Sequence, residues 1–293
     1  MADARAGLSA PPHPGDGPLA LIAGGGSLPI AVADAVIAQG RRVVLFPIRG
    51  WADPAWVEKY PHCWLALAQV DRFLRRARAE GCRDVAFIGT AVRPPFRALR
   101  IDWGMFRLLP RVWRMYRGGD DHLLSGVVKV FEDHGFRILG AHEVAPEILV
   151  SEGPIGARAP SERDRADIAR GLALLHAMGP YDVGQAAVVA LNHVLAVEAA
   201  EGTDGMLARI AELRAKGRIP TPVGAGVLVK APKPGQEQRV DLPTIGPRTV
   251  TEAARAGLAG IAIVAGQAIV AEPDAVARAA DEAGLFVVGI KAP

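Results

Sequence analysis

Apolar residues follow two rhythms along this chain. Short unbroken runs alternate with longer stretches in which apolar positions recur every three or four residues. Runs at 19–23, 42–46 and 84–89 predict buried strands, and the spaced patterns at 30–39 and 70–80 predict helices between them. A weaker run at 64–68 predicts one more strand. Strand, glycine turn, helix and strand in that order make a right-handed parallel crossover, so the chain reads as Rossmann-like to about residue 90. A helix at 120–130 and a strand at 136–139 follow.

The stretch 151–160 is rich in Gly and Pro and carries neither rhythm, which places a domain boundary there. Beyond it the pattern predicts helices at 162–177, 203–216, 249–256 and 273–283. Strands are expected at 186–190, 194–197, 226–230, 260–264, 268–270 and 285–290. Gly266 and Gln267 suggest a hairpin joining 260–264 to 268–270. The fold class is therefore α/β with two domains. A Rossmann-like N-terminal domain spans 19–150, and a second α/β domain with a mixed sheet spans 151–293. Residues 1–18 read as a loose, disordered tail without the apolar core of a signal peptide. No apolar run approaches about 18 residues, so no membrane-spanning helix is expected.

Composition narrows the classes. Half of the 293 residues are hydrophobic and 22% are charged, which excludes wholesale disorder and gives material for two cores. The net charge of +3 is too small for a general nucleic-acid footprint, and no nucleic-acid partner is expected. Cys63 and Cys82 fit no metal or redox spacing and suit a reduced, cytoplasmic setting. The seven histidines form no zinc-type spacing, and neither a nucleophile elbow nor a P-loop occurs.

Three segments carry candidate chemistry. Gly24, Gly25, Gly26 and Ser27 link a strand to a helix, a turn suited to a phosphate through backbone N–H groups, or else a plain tight turn. The second strand leads to Arg49 where a dinucleotide fold would place an acid, which argues against NAD and leaves NADP or a simpler nucleotide. Segment 93–117 holds seven arginines interleaved with Trp103, Phe106 and other apolar residues. It suits an anionic bilayer surface, with a solvated basic face or an RNA patch as the other readings. In the second half, Glu198, Glu201 and Asp204 lie where a strand hands over to a helix, and Lys230, Lys233 and Asp241 follow another strand. Strand carboxyl ends line the ligand crevice of α/β sheets. Lysines there suit phosphate, and the acids suit a hard cation such as Mg²⁺. Taken singly, Thr203 or Asp204 reads equally well as a helix cap, and either lysine as a loop charge.

Several blocks together resemble the LpxI family, UDP-2,3-diacylglucosamine pyrophosphatases of lipid A synthesis. They are Leu21-Ile-Ala-Gly-Gly-Gly-Ser-Leu-Pro29, Gly119-Asp-Asp-His-Leu-Leu124, Asp182-Val-Gly-Gln185, Glu198-Ala-Ala-Glu-Gly-Thr-Asp204, Val227-Leu-Val-Lys-Ala-Pro-Lys-Pro-Gly-Gln236 and Asp241-Leu-Pro-Thr-Ile-Gly246. The resemblance runs in order from Leu19 to Ile290. It implies a Mg²⁺-dependent homodimer, peripheral on the cytoplasmic face of the inner membrane. Its substrate would be a lipid-linked UDP-sugar, split to UMP and 2,3-diacylglucosamine 1-phosphate by water attacking the sugar-side phosphorus. By the same resemblance, Asp241, Asp204, Lys230 and Lys233 are catalytic, and Glu198, Glu201, Asp204 and Asp241 are metal ligands. Gly24, Gly25, Gly26, Ser27, Thr203, Gln236 and Thr244 would contact substrate. The rival readings are an NADP-linked oxidoreductase and a non-catalytic lipid-binding protein.

Overall fold

The structure is a computed structural model that describes residues 17–90, Trp103, Phe106 and 120–292. The tail before residue 17 and all of segment 93–117 except Trp103 and Phe106 lie outside the described residues. The chain divides into two compact units, one reaching residue 109 and including 128–139, the other comprising 110–127 and 140–293.

The N-terminal unit is built on a four-stranded parallel sheet in the order β2-β1-β3-β4. Its strands are β1 (Leu19–Ala23), β2 (Val43–Pro47), β3 (Asp84–Ile88) and β4 (Arg137–Ile138). Helices α1 (Leu28–Ala38), α2 (Pro54–Val57) and α3 (Val70–Ala79) join them, and α4 (Asp120–Asp133) leads into β4. Strands covered on both faces must be apolar throughout, which explains their unbroken runs. Phe73 of α3 packs edge-on against Phe46 of β2 and Phe131 of α4, with ring centroids 4.7 and 5.0 Å away.

The strand expected at 64–68 does not form as such. The chain from Pro61 to Leu65 instead runs beside β2 through two isolated bridges, Leu45 to His62 and Ile48 to Leu65. Pro61 has no amide to extend a ladder, and Ala68, at φ 74°, turns the backbone toward α3.

One charge anchors this sheet. Asp84, the first residue of β3, is fully buried. It accepts hydrogen bonds from Arg41 at 2.5 Å and from two nitrogens of Arg137 at 2.8 and 2.9 Å. A buried carboxylate persists only when so neutralised.

The C-terminal unit has a six-stranded mixed sheet, in keeping with the expected fold, in the order β5-β12-β10-β8-β6-β7. The strands are β5 (Gly153–Pro154), β6 (Ala186–Ala190), β7 (His193–Val197), β8 (Val227–Lys230), β10 (Gly260–Val264) and β12 (Phe286–Ile290). The central three, β8, β10 and β12, are parallel, while β6 is antiparallel to β8, β7 to β6, and β5 to β12. β5 thus forms inside the patternless stretch 151–160.

On one face, α7 (Gly202–Ala215), α8 (Pro247–Arg255) and α9 (Pro273–Ala283) bury Ile210, Val250 and Val276 against Leu228 and Ile261. On the other, α6 (Glu162–Met178) buries Ile168 and Leu175 against Val227 and Val229. Alternate residues of β8 therefore serve opposite cores. A short helix α5 (Ala141–Val144) follows β4 in the chain and belongs to this unit.

The hairpin expected around Gly266 is corrected. The second run forms β11 (Ile269–Val270), which pairs in parallel with β9 (Thr244–Ile245) in a separate two-stranded sheet. β10 already has β8 and β12 on its two sides, so no edge is left for a returning strand. The hairpin of β6 and β7 does form. Its turn residues Leu191 and Asn192 have φ 52° and 63°, and the buried Asp167 of α6 accepts both their amides at 2.9 and 2.6 Å. Among the described residues no helix is long and apolar enough to cross a membrane.

Asp84→Ala leaves two arginines facing a void and is expected to cost roughly 3 kcal/mol in denaturant unfolding. Burial pushes the Cys82 thiol up to about 11 from its ordinary 9.0. The unfolded chain then loses that proton first. The stability Cys82 contributes is therefore present below pH 9 and lost as pH rises through about 11. Cys82→Ala should flatten that alkaline fall in a pH series of unfolding curves.

Candidate active site

The antiparallel pairing of β6 with β8 sets Lys230, the last residue of β8, opposite Ala186, the first of β6. β7 ends beside them, since the Glu198 amide donates to the Ala186 carbonyl at 2.9 Å. The start of β6, the end of β7 and the end of β8 therefore meet at one edge of the sheet. The loops leaving that edge carry the polar residues.

Lys230 is only 7% exposed. Its ammonium donates to Thr203 Oγ1 at 2.9 Å and to the Thr244 carbonyl at 3.1 Å. Thr203, in the first turn of α7, donates its own hydroxyl proton to Glu198 Oε1 at 2.8 Å. The other oxygen of Glu198 accepts the Gln185 amide at 2.9 Å. Gly184 makes this possible, because a Cβ there would lie 2.5 Å from Glu198 Cγ. Burial pushes the Lys230 ammonium below the ordinary lysine range, while Glu198, Asp204 and Asp241 pull it back up.

A second set adjoins the first through Gln185, whose side-chain amide donates to Asp241 Oδ2 at 2.7 Å. Gln236 donates to the same oxygen and to the Asp241 carbonyl at 3.0 Å. The Gln236 side-chain oxygen accepts the Lys233 amide at 2.8 Å. The ammonium of Lys233, itself a buried residue, pairs with Asp182, which sits in the left-handed region at φ 49°. One hydrogen-bonded chain thus runs from Asp182 through Lys233, Gln236, Asp241, Gln185, Glu198 and Thr203 to Lys230.

Seven expected site residues meet here: Glu198, Thr203, Lys230, Lys233, Gln236, Asp241 and Thr244. Two sit further out. Glu201 pairs with Arg209 at 2.7 Å, and Asp204, within electrostatic reach of Lys230, pairs with Arg248 at 3.1 Å. The N-cap of α7 is Glu201, which makes no side-chain cap bond, so neither Thr203 nor Asp204 is spent on capping. Asp182 and Gln185 also belong to this network; in the sequence they are marked only as polar residues just before a strand, where Asp182 reads as a turn cap.

Among the described residues no group of three or more His, Cys, Asp or Glu side chains is arranged to hold a metal ion. The expected shell of Glu198, Glu201, Asp204 and Asp241 is therefore not preformed. Mg²⁺ is commonly held by one or two carboxylates, with water and substrate phosphate oxygens completing its shell. Asp241 and Asp204 fit that partial role.

In the N-terminal unit, two amides of the glycine turn are already used. Gly24 donates to the Ile88 carbonyl and Gly25 to the Thr90 carbonyl, both at 2.8 Å. A Cβ on Gly24 would fall 2.5 Å from the Thr90 oxygen, so this glycine is demanded by close backbone approach to the end of β3. The expectation of anion-facing amides at Gly24 and Gly25 is corrected accordingly.

Buried lysines among carboxylates and amides, at the strand ends of an α/β sheet, make an arrangement suited to an anionic ligand. Comparison with known proteins makes the class specific. The LpxI N-terminal domain matches residues 18–148 and the LpxI C-terminal domain residues 151–288. The chain is also 46% identical over 272 residues to the UDP-2,3-diacylglucosamine pyrophosphatase LpxI of Caulobacter vibrioides, covering 93% of this chain and 97% of that protein. The chain belongs to the LpxI family and is a hydrolase.

Thr203→Val removes the link between the buried Lys230 and the half-buried Glu198 and is expected to cost about 1–3 kcal/mol in denaturant unfolding. The pH dependence follows from Lys230. Between its depressed folded value and the ordinary 10.5, the unfolded chain holds a proton that the folded chain has released, so stability rises with pH across that window. Lys230→Met should flatten the rise in a pH series of unfolding curves.

Proposed function

We propose that this chain hydrolyses the pyrophosphate of UDP-2,3-diacylglucosamine to UMP and 2,3-diacylglucosamine 1-phosphate in lipid A synthesis. One observation carries the reading: two buried lysines share a single hydrogen-bonded network with Asp241. The likeness to a protein named for this activity supports the choice of substrate.

The chemistry asks for charge neutralisation and an aimed water. Lys230 and Lys233 have little access to solvent, so their attraction for phosphate oxygens is weakly screened. Their present partners, a threonine hydroxyl, a carbonyl and Asp182, hold the ammonium groups until substrate arrives. Asp241 orients the attacking water and accepts its proton. Two features favour it over Asp204. Its Oδ2 is fixed by the amides of Gln185 and Gln236, whereas the Asp204 side chain is 44% exposed and paired with Arg248.

Water adds to the sugar-side phosphorus, and the bond from that phosphorus to the bridging oxygen breaks. UMP leaves with the bridging oxygen. Mg²⁺, held by Asp241 and Asp204 together with substrate, would lower the charge on the pyrophosphate.

Trp103 and Phe106, stacked at 5.4 Å and exposed by 64% and 56%, support contact of this region with acyl chains or the inner-membrane surface. A peripheral, cytoplasmic location and a homodimer complete the reading.

The test is release of UMP from UDP-2,3-diacylglucosamine with Mg²⁺, and its loss on adding a chelator. Asp241→Ala should lower kcat by roughly 10²–10⁴ with the unfolding curve little changed. Near-normal turnover in that variant removes Asp241 from the mechanism. Lys233→Gln should mainly raise KM, by about tenfold. Hydrolysis in ¹⁸O-water should label the sugar phosphate and leave UMP unlabelled; labelled UMP reverses the assigned point of attack.

A further inference from the structure

We propose that Gln185 is a positioning residue that holds the Asp241 carboxylate in place relative to Lys230, by tying the loop that carries Asp241 to the edge of the sheet. The role rests on the hydrolase reading above, in which Asp241 aims the attacking water.

Gln185 immediately precedes β6, and its backbone is fixed on both sides. Its carbonyl accepts the Ala231 amide at 3.0 Å, which carries the pairing of β6 with β8 one residue past Lys230. Its own amide donates to Glu198 Oε2 at 2.9 Å, and the preceding Gly184 amide donates to the Glu198 carbonyl at 3.1 Å. The side chain is half-buried and, among the described residues, makes one hydrogen bond, from Nε2 to Asp241 Oδ2 at 2.7 Å. An ionised carboxylate only accepts hydrogen bonds, so it is the amide nitrogen that faces it.

Asp241 has no comparable footing of its own. It lies in the loop between the last residue of β8, Lys230, and the first of β9, Thr244. Its amide donates to the Glu237 carbonyl at 3.1 Å, inside that loop. Gln236, the other donor to Oδ2, belongs to the same loop, five residues before Asp241. Bonds within a loop shape it but do not set its distance from the sheet. Lys230 holds the far end of the loop through the Thr244 carbonyl at 3.1 Å, and Gln185 reaches the carboxylate across 56 positions of sequence. Gln236 therefore shapes the loop, and Gln185 sets where the Asp241 carboxylate stands beside the ladder that ends in Lys230. A reacting group displaced by about 1 Å loses rate on the order of 10²-fold, so a clamp of this kind acts on turnover.

Kinetics of the whole chain test the role. Gln185→Ala and Gln185→Met should each lower kcat roughly 10²-fold, with KM within about threefold. The Met variant keeps the length of the side chain and drops the donor, so a side chain that only fills space would survive that change. In the Asp241→Ala background, Gln185→Ala should lower the residual rate no further, because the residue acts through Asp241. Unfolding curves of the single variants should stay close to that of the unaltered chain, since Gln185 is half-buried. The side-chain amide of Gln185, assigned in a ¹⁵N spectrum of the unaltered chain through its own side-chain carbons, should shift in Asp241→Ala. That signal decides the matter even if the Gln185 variants unfold.

Near-normal kcat in Gln185→Met overturns the proposal, as does a further loss on top of Asp241→Ala or an amide resonance that Asp241→Ala leaves in place. The two readings fail separately. An inactive Asp241→Ala beside a normal Gln185→Met removes Gln185 and leaves the hydrolase. No UMP release from the unaltered chain removes the hydrolase, and the amide resonance still reads the contact.

Discussion

An ammonium group with 7% exposure has to be surrounded by groups that replace water, and Lys230 sets that demand on the whole C-terminal unit. Desolvation opposes its charge, and three carboxylates, Glu198, Asp204 and Asp241, restore part of it. Each of those acids must then be held in turn. Thr203 and the Gln185 amide hold Glu198, Arg248 holds Asp204, and two side-chain amides hold Asp241. The network follows from one buried cation and the need to leave no partner unmatched.

Strand direction is what makes the network possible. In an all-parallel sheet, the loops at one edge leave only from strand ends. Here β6 runs against β8, so the edge where Lys230 ends also receives the start of β6 and the end of β7. Gln185 and Glu198, separated by a whole hairpin in sequence, become hydrogen-bonded neighbours at 2.9 Å. At the far end of that hairpin, Asp167 holds two left-handed residues in place, so the turn is anchored to α6.

The N-terminal unit buries a charge too, with a different result. Asp84 is closed in by Arg41 and Arg137 and faces a sheet edge stitched shut by them. That arrangement stabilises the fold and offers nothing to a ligand. Lys230 and Lys233 instead lie against a hydroxyl, a carbonyl and Asp182, in the network proposed to receive phosphate. The contrast separates a structural buried charge from the proposed binding site.

Periodicity alone determined most of the architecture, because a strand covered on both faces is apolar throughout and a helix covered on one face repeats near every third or fourth residue. β1, β6 and α9 lie where those rhythms place them. The lysines and acids beyond β7 and β8 were legible as a group because strand ends in this fold class carry ligands. Pairing was not legible. A run such as Ile269–Val270 looks alike whether it returns to β10 or pairs with β9, and only the occupied edges of β10 decide. The same holds for function at single residues. Sequence cannot tell that the Gly24 and Gly25 amides close onto β3, or that Gln185 clamps Asp241, because both depend on segments far apart in the chain arriving within 3 Å of each other.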